Sequence, residues 1–486
     1  MIQSVKNKGK LKVLTGDQVD QIHEASIAIL ERTGLRIDSI PAQDRLLKNG
    51  AVRHPTRKNV LTFTRSLIQE SIKKIPRYGK YYARDPRNDI VFDGETTYAH
   101  CEGGNPNFLD LETGEMRMST YRDLADSNKV MDALEYCASA GNLVVATDAP
   151  APILVLKTME ACIKNSSKCT SGYALKVEQV DAIAKMGEVL SGGKEEQKKR
   201  PLLSIYGSPS SPLTYDSHVC DIIIRGAEYG LPVDIVPCPI SGGTSPITLA
   251  GGLAQQNAEM LGGVMLIQTV TTKTPIMYCG RLSMMDLRSG RNIWGVPEMG
   301  IVSAATVQIA HKYNMTADVY GVATDVNSWD IQTGLERMQG AMIPALAGAD
   351  NLSGMGGMWE NACSLEMLVI DNEIYADVFR ATRGIEVDDD HLAIDIIDKV
   401  GHMGNFLGQP HTMKHLRMGE IRNSPLFDKR TGENVKKEGF RPLQEVAKEH
   451  AKRILKEHMP TPLDKDVERD LDRVIKEESK KLLAMG

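Results

Sequence analysis

The stretch from Asp318 to Glu360 constrains the fold of this 486-residue chain most strongly. A short run, ADVYGVATD, precedes a longer segment, and a second short run, ADNLSGMGG, follows it. The pattern predicts a strand, a helix and a strand, which places two parallel strands side by side with a right-handed crossover. Apolar residues in the middle segment recur at helical spacing, at Leu335, Met338, Met342 and Leu346.

Similar short runs recur upstream at intervals of roughly thirty to forty residues, with helix-like segments between them. Eight such units predict an α/β fold, a (β/α)8 TIM barrel. The competing layout is a doubly wound open sheet, but the sequence has no GxGxxG after the first strand and no P-loop. The upstream runs are Thr97–Cys101, Leu143–Thr147, Lys168–Tyr173, Leu202–Gly207, Pro232–Pro237 and Thr274–Gly280.

The barrel is predicted to span residues 91–385 and to carry an addition at each end. Residues 1–90 form a predicted N-terminal α/β cap, which begins with a docking helix whose apolar face contains Val19, Ile22, Ile27 and Leu30. Residues 386–486 form a predicted C-terminal helical extension. Its charged helices either have one solvated face or contact a partner protein or a second copy of the chain.

Composition narrows the class of protein. A hydrophobic content of 42% is enough to bury a full barrel core. The net charge of -5 gives no reason to expect nucleic acid or an acidic membrane as a partner. The N-terminus has no apolar core typical of a signal peptide, and no long apolar run follows. Eight cysteines without a CxxC pair indicate reduced thiols, so we expect a cytoplasmic enzyme.

Aromatic residues make up only 5% of the chain, so their positions are informative. One ring in a strand is usually a core residue, whereas several rings at strand ends can surround a quaternary ammonium, whose charge is attracted to π faces. Six rings lie in or just after predicted strands, namely Tyr98, Tyr173, Tyr206, Tyr278, Trp329 and Trp359. Acidic residues at the same level are either countercharges or caps: Glu102, Asp148, Asp325, Asp330 and Glu360.

Two further features suggest recognition of an anion. Arg281 follows a predicted strand, where it either clamps a substrate carboxylate or forms a surface ion pair. The segment Ser241–Thr244 is rich in small residues, so its backbone amides either approach a carboxylate or form a tight turn.

Motifs for metal or nucleophilic chemistry are missing. The groups His100-Cys101-Glu102 and His218-Val219-Cys220-Asp221 lack the spacing of a known metal site. His411 and His415 lie four residues apart and can share a helix face, but no second pair completes a ligand set. There is no GxSxG or HExxH. We therefore expect no tightly bound metal.

The C-terminal portion carries a family pattern. Residues 401–430, GHMGNFLGQPHTMKHLRMGEIRNSPLFDKR, contain a glycine-rich FL, a PHT, an arginine and a P-LFDR-like ending in that order. Together with the early IHEASIAILERTGLRI and with TDVNSWDIQTG at 324–334, this resembles the trimethylamine methyltransferase (MttB) superfamily over 22–430. One departure is Trp329, because the common family pattern has proline there.

The resemblance implies a TIM-barrel methyltransferase that passes a methyl group from an amine to the cob(I)alamin of a separate corrinoid protein. The trimethylamine branch uses pyrrolysine, whereas this chain has only standard residues around Gln332-Thr333-Gly334. Members without pyrrolysine resemble quaternary-amine demethylases. The resemblance therefore implies glycine betaine as the substrate, with proline betaine, carnitine or γ-butyrobetaine as close alternatives.

Strand-end placement leads to a specific assignment of residues. Asp325 and Glu102 are predicted to act as countercharges, and Arg281 with Ser241–Thr244 to bind a carboxylate. Gly356, Gly357 and His411 are predicted to contact the corrinoid. The chain is expected to form a homo-oligomer. The predicted substrate site is completed by Tyr98, Tyr206, Tyr278, Trp329, Gln332 and Trp359.

Two other classes stay open from the sequence. The chain could be another TIM-barrel enzyme, dependent on a metal or a flavin, that acts on a small carboxylic acid. It could also be a betaine-binding protein without catalysis, although such proteins normally carry an export signal. A colourless, metal-free purified protein would weaken the first of these alternatives.

Overall fold

The protein is built around a closed barrel of eight parallel strands. The structure is a computed structural model that describes residues 1–7, 9–76, 79–326 and 328–485, with only the backbone at Glu360. The last strand pairs with the first, since Asn351 faces Tyr98, and this pairing closes the barrel. The strands are β1 (Thr96–Cys101), β2 (Ser139–Ala140), β3 (Cys169–Gly172), β4 (Leu203–Gly207), β5 (Val233–Ile235), β6 (Met277–Gly280), β7 (Thr316–Tyr320) and β8 (Asn351–Met355).

A helix follows each strand and packs on the outside of the barrel. Polar caps start several of these helices; for example, Thr120 and Asp123 form a capping box at the helix Tyr121–Ala133. Apolar residues of the strands and of the helix faces form the main core between the two layers. The helices are Tyr121–Ala133, Leu154–Asn165, Val177–Ser191, Ser217–Glu228, Leu249–Gln268, Pro297–Lys312, Ile331–Ala347 and Leu365–Arg383.

The predicted barrel is confirmed, but one strand was misplaced. The second strand is Ser139–Ala140 and not Leu143–Thr147. Leu143 and Val144 are buried, but they lie in the loop beyond the strand, where Val144 forms an isolated bridge with Asn105. An apolar run therefore marked a buried loop, while the actual strand is two small residues long.

The N-terminal part packs against the side and the bottom of the barrel. The helix Gly16–Arg32 begins at the capping box of Thr15 and buries Val19, Ile22, Ile27 and Leu30, as predicted. A hairpin of Lys80–Tyr81 and Ile90–Val91 brings Tyr81 and Phe92 against Tyr98 and closes the lower end of the barrel. The other elements are the helices Ile40–Lys48 and Arg65–Lys73 and the strands Val5–Lys6, Leu35–Ile37, Val52–Arg53 and Val60–Thr62. Strand Thr214–Tyr215, from the loop after β4, pairs with Leu35–Ile37.

Two small sheets lie beyond the carboxyl ends of the barrel strands. One contains Asn107–Leu109, Met116–Met118, Gly357–Met358 and Ala362–Cys363. The other contains Ile240–Ser241, Ser283–Asp286 and Arg291–Ile293. These insertions raise the wall around the mouth of the barrel, where βα-loops form the active sites of this fold class.

The C-terminal helices differ in how much of their surface they bury. Leu443–Glu457 packs against the barrel helices Tyr121–Ala133 and Leu365–Arg383. Lys465–Met485 buries an apolar face that includes Leu471 and Ile475. The short helices that precede Leu443–Glu457 are Asp389–Leu392, Ile394–Val400, Pro410–Arg417 and Gly432–Glu438. None of the helices in the described ranges is both long enough and apolar enough to cross a lipid bilayer.

Candidate functional site

A cavity of 540 Å³ opens at the carboxyl ends of the barrel strands. Side chains two residues apart on one strand both reach it, as Asp318 and Tyr320 do on β7, because alternate residues of a strand face the same side. Polar and charged groups are concentrated in its lining, and the cavity is therefore suited to a small, charged ligand. They include His100, Glu102, Asn142, Asp234, Arg281 and Asp318.

A buried ion-pair network crosses the cavity. Arg281 Nη2 lies 3.0 Å from Asp318 Oδ1, and Arg281 Nη1 donates to the Asp318 carbonyl oxygen at 2.8 Å. His100 Nε2 lies 3.2 Å from the same carboxylate oxygen. Burial alone would raise the pKa of Asp318, but the guanidinium of Arg281 and the imidazole of His100 outweigh burial and hold that pKa at about 2. Asp318 is therefore ionised at neutral pH.

A second carboxylate, Glu102, lies at the end of β1. Tyr320 Oη donates to Glu102 Oε2, and the Gly103 amide donates to Oε1 at 3.2 Å. Burial raises the pKa of Glu102, and the Gly103 amide and Arg281 partly offset this effect. Gly357 leaves the space that Glu102 occupies, since a Cβ at Gly357 would lie 3.0 Å from Glu102 Cγ.

Aromatic rings form two sides of the cavity. Trp294 stacks on Tyr320 with 4.6 Å between ring centroids and 30° between ring planes. The Arg281 guanidinium lies 5.8 Å from the centroid of Tyr320. Tyr206 lines the cavity from β4 and has Tyr173 at 6.3 Å. Burial raises the pKa of Tyr206 to about 12, so this phenol is neutral at physiological pH.

A third carboxylate, Asp234, is buried below these rings. It accepts from Tyr81 Oη at 2.5 Å and from the Met277 amide at 3.2 Å. Burial raises the pKa of Asp234 to about 7, and the negative charge of Asp318 adds to the rise. Asp234 therefore exchanges a proton near neutral pH.

We expect Asp234→Asn to change how stability depends on pH. The native state holds the Asp234 proton up to about pH 7, whereas the unfolded chain releases it near pH 3.8. The contribution of Asp234 to stability is therefore present below pH 3.8 and is lost as the pH rises towards 7. Between pH 5 and pH 8, the stability of Asp234→Asn relative to wild type should rise by roughly 3 kcal/mol.

Differential scanning calorimetry at both pH values measures this change. Asp110→Asn is the matched control, because the pKa of about 2 at Asp110 makes its stabilising contribution constant above pH 5, and Asp110 is not one of the charges that shift the pKa of Asp234. A stability difference between Asp234→Asn and wild type that is the same at both pH values would contradict the prediction.

Comparison with known proteins identifies the family. The family model described as trimethylamine methyltransferase (MTTB) matches residues 1–482. The chain belongs to this family. A trimethylamine methyltransferase MttB of Desulfitobacterium hafniense is 30% identical over 95% of this chain and 92% of its own length. A glycine betaine methyltransferase of Desulfitobacterium hafniense is also 30% identical, over 97% of this chain and 98% of its own length.

A solved structure was also found. The crystal structure of the Methanosarcina barkeri monomethylamine methyltransferase (MtmB) covers 96% of this chain and 92% of its own, at 11% identity and a TM-score of 0.47. The family membership and the named relatives confirm the resemblance seen in the sequence, and the chain is a methyltransferase.

The structure brings some of the predicted site residues of this MttB-family chain together. Glu102, Tyr206, Arg281 and Gly357 all line the cavity. The surface ion pair considered for Arg281 is wrong, because the pair with Asp318 is buried. Strand-end placement thus found one carboxylate, one ring and the arginine.

Two predicted tyrosines lie outside the lining of this cavity. Tyr278 alternates with Cys279, which faces the cavity, and its ring points outwards, where Tyr278 Oη donates to Asn257 at 3.3 Å. Tyr98 lies at the lower end of β1, packed on Phe92 at 5.7 Å. Both rings are buried core residues, in agreement with the simpler interpretation of rings in strands.

Asp325 lies behind the cavity rather than in its lining. Its carboxylate accepts from the amide of Trp294 at 2.8 Å and from the amide of Gly295 at 2.7 Å. Burial raises the pKa of Asp325, and these two amides partly offset this effect. Asp325 therefore acts as a positioning residue for the segment that carries Trp294.

The remaining predicted contacts are spread over other surfaces. Trp329 and Trp359 form an edge-to-face pair at 6.4 Å outside the cavity lining. Gln332 is exposed and donates to Glu336 at 2.6 Å. Gly356 donates its amide to the buried Asp371 at 2.8 Å, below the cavity surface. His411 lies in the C-terminal segment beside His415.

The proposed amide cradle at Ser241–Thr244 is a tight turn. The amides of Gly243 and Thr244 both donate to the Ile240 carbonyl at 2.9 Å, so neither points at an external anion. Asp148 accepts from the Tyr121 amide at 2.8 Å, and Asp330 caps the helix Ile331–Ala347. The cap interpretation is therefore correct for both. The side chain of Glu360 lies outside the described part of the structure.

Three important cavity residues were missed from the sequence. Asp318 and Tyr320 belong to the stretch that defined the fold, and their alternation along β7 could have placed both inside the barrel. Trp294 lies in the insertion after β6, and no strand-end pattern marks it. Its position depends on the long-range bonds to Asp325.

Proposed function

We propose that this chain transfers a methyl group from a quaternary amine with a carboxylate, glycine betaine being the simplest, to the cob(I)alamin of a separate corrinoid protein. The observation that carries the proposal is that one cavity holds aromatic rings, buried carboxylates and an arginine. The printed names of the relatives, which include a glycine betaine methyltransferase, support the same reaction class.

The rings of Tyr206, Trp294 and Tyr320 fit the cationic end of such a substrate. A quaternary ammonium has no N–H to donate, so π faces and a nearby negative charge are its natural partners. The carboxyl group of Glu102 accepts from Tyr320 Oη at the ring edge and is the candidate for that charge. This set replaces the cage of Tyr98, Tyr278, Trp329 and Trp359, whose rings lie outside the cavity lining.

Arg281 fits the carboxylate end. Three of its N–H donors bond Gly280 and Asp318, and two of the five therefore remain for a ligand. The ion pair with Asp318 fixes the guanidinium beside Tyr320, within the cavity. A small betaine can therefore contact the rings and the arginine at the same time.

The reaction needs few catalytic side chains. The carbon–nitrogen bond breaks with its electron pair left on nitrogen, so a neutral tertiary amine departs without a proton transfer. The corrinoid carried by the partner supplies the cobalt nucleophile. The residues of this chain bind the substrate, exclude water and orient the methyl group towards the open mouth, where Gly103, Gly104 and Gly357 keep the rim free of side chains.

A methyl-transfer assay tests the proposal. Free cob(I)alamin and then a cognate corrinoid protein are mixed with the enzyme, and glycine betaine, proline betaine, carnitine, γ-butyrobetaine and trimethylamine are offered separately. We expect an absorbance change with at least one betaine and none with trimethylamine. Absence of transfer with all five substrates, or transfer from trimethylamine alone, would overturn the proposal.

Two tryptophan variants test the position of the cage. Trp294→Leu should raise KM for the quaternary amine by roughly 2- to 30-fold, because a desolvated cation–π contact contributes about 0.5–2 kcal/mol. Trp329→Leu is the matched control and should change KM less than twofold, since Trp329 lies outside the cavity lining. A larger effect of Trp329→Leu than of Trp294→Leu on KM would mean that the ammonium binds at the Trp329–Trp359 pair and not at Trp294.

A further inference from the structure

The C-terminal segment 383–423 contains a cluster of metal-ligand side chains far from the barrel mouth in sequence. His411 and His415 are four residues apart on the helix Pro410–Arg417 and therefore share one face. Asp390 comes from the helix Asp389–Leu392. One ligand atom from each of the three side chains lies within 4.8 Å of the other two.

We propose that Asp390, His411 and His415 bind a divalent transition-metal ion of the zinc class. Two imidazoles at helical spacing and one carboxylate are a donor set that such ions prefer. A tetrahedral zinc ion holds its ligands roughly 3.4 Å apart, so the three atoms need to close in only by small side-chain rotations. The sequence did not reveal the third ligand because Asp390 lies on a different helix.

The hydrogen bonds of the two histidines support metal ligation. His411 Nε2–H donates to the backbone carbonyl of Asp390 at 2.9 Å, which leaves Nδ1 with its lone pair. His415 is only 6% exposed, and among the described residues its Nε2 makes no hydrogen bond of good geometry. That atom lies 3.2 Å from Asp390 Oδ2, so it points into the cluster. A buried ring nitrogen without a well-aligned hydrogen bond is costly, and a metal shared with Asp390 would satisfy it.

The segment around the cluster has almost no core of its own. Within 383–423, all of which is described, His415 is the single buried residue. The helices Asp389–Leu392 and Ile394–Val400 bury no residue at all. Short helices without apolar burial need another source of stability, and a metal bound across two helices supplies it.

Two neighbouring side chains, Lys414 and His391, bear on the affinity of the site. Lys414 Nζ lies 2.6 Å from Asp390 Oδ2, but its side chain is 52% exposed and can turn into solvent when a metal binds. His391 packs on His415 at 4.8 Å, and both of its ring nitrogens face carboxylates, of Asp388 at 2.7 Å and of Glu386 at 3.2 Å. His391 is therefore not a ligand, whereas Lys414 competes with the metal for Asp390.

Zinc binding to the untagged full-length chain tests the proposal. The protein is dialysed against EDTA, titrated with ZnCl₂ by calorimetry, and analysed for zinc after gel filtration. Wild type should retain one zinc per chain. His411→Ala and Asp390→Asn should bind zinc at least about 100-fold more weakly. Lys414→Gln should bind it roughly two- to fivefold more tightly, because a competing surface cation is removed.

His402→Ala is the matched control, because His402 is an exposed histidine of the same segment outside the cluster. It should bind zinc as wild type does. The proposal is overturned if wild type retains no zinc after gel filtration, or if His411→Ala and Asp390→Asn bind zinc as well as wild type. These readouts do not depend on methyl transfer, so failure of the proposed enzymatic function leaves them unaffected.

Discussion

Replacing Arg337 with methionine is expected to destabilise the protein by about 3–5 kcal/mol. Arg337 is 1% exposed, and it forms a two-pronged ion pair with the fully buried Asp371. Its Nη1 also donates to the Gly357 carbonyl at 2.9 Å. Without the guanidinium, the Asp371 carboxylate would be left buried without its counter-ion, which costs far more than the lost bonds alone.

The expected shift in melting temperature follows from the size of the chain. An unfolding entropy of about 2.1 cal/mol/K per residue gives roughly 1 kcal/mol/K for the whole protein, so Tm should fall by about 3–5 °C. Scanning calorimetry measures it. Arg337→Lys keeps the positive charge but loses the planar, two-pronged guanidinium. Its Tm should therefore lie between those of Arg337→Met and wild type.

A double variant distinguishes the effect of losing the Arg337 hydrogen bonds from the effect of leaving the Asp371 carboxylate buried without a counter-ion. Arg337→Met with Asp371→Leu removes both charges and should recover at least part of the loss, since apolar residues of similar volume often replace a buried pair without cost. A Tm for Arg337→Met within about 1 °C of wild type would show that Asp371 is neutral in the native protein.

Periodicity was sufficient to predict the barrel because each strand–helix unit carries its own local signal. Runs such as Leu202–Gly207 fell within two residues of the observed strand β4. The second strand failed because Ser139 and Ala140 are too few and too small to form an apolar run. Closure of the barrel is a long-range property, and only the number and spacing of the units indicated it.

The helix Ile331–Ala347 shows a subtler limit of the same reasoning. Its extent was predicted from the spacing of Leu335, Met338, Met342 and Leu346, but Leu335 is 65% exposed. The buried face contains small residues and Arg337, which bonds Asp371 on the neighbouring helix Leu365–Arg383. A charged residue is interpreted as solvent-exposed unless its partner is known, and that partner lies on the following helix.

The candidate site was only partly predictable. Placement at a strand end shows how near a residue is to the barrel mouth, but it does not show whether the side chain faces the inside or the outside of the barrel. Tyr206 and Tyr278 both lie in strands, but the ring of Tyr206 lines the cavity and that of Tyr278 packs outwards. Alternation along the strand distinguishes the two once one inward residue is known. Trp294 had no such signal, because its loop is positioned by Asp325 from the next βα-loop.

The double variant Arg281→Met with Asp318→Asn should weaken binding of glycine betaine by roughly 10- to 150-fold. Hydrogen bonds between charged groups contribute about 1.5–3 kcal/mol, and each 1.4 kcal/mol is tenfold in affinity. The paired substitution is used because Asp318, whose pKa is held at about 2 in part by Arg281, would otherwise stay buried without its counter-ion. Calorimetric titration with glycine betaine and with choline, which lacks the carboxylate, measures the change.

Asp318→Asn alone is the matched control. It keeps Arg281 and leaves more of its donors free, so binding of glycine betaine should stay within about threefold of wild type or become tighter. Choline should lose little affinity in either variant, because its ammonium contacts only the rings and Glu102. Equal losses for glycine betaine and choline in the double variant would mean that Arg281 supports the barrel and does not bind the carboxylate. The selectivity between the two ligands therefore decides whether the buried arginine at the barrel mouth recognises the substrate.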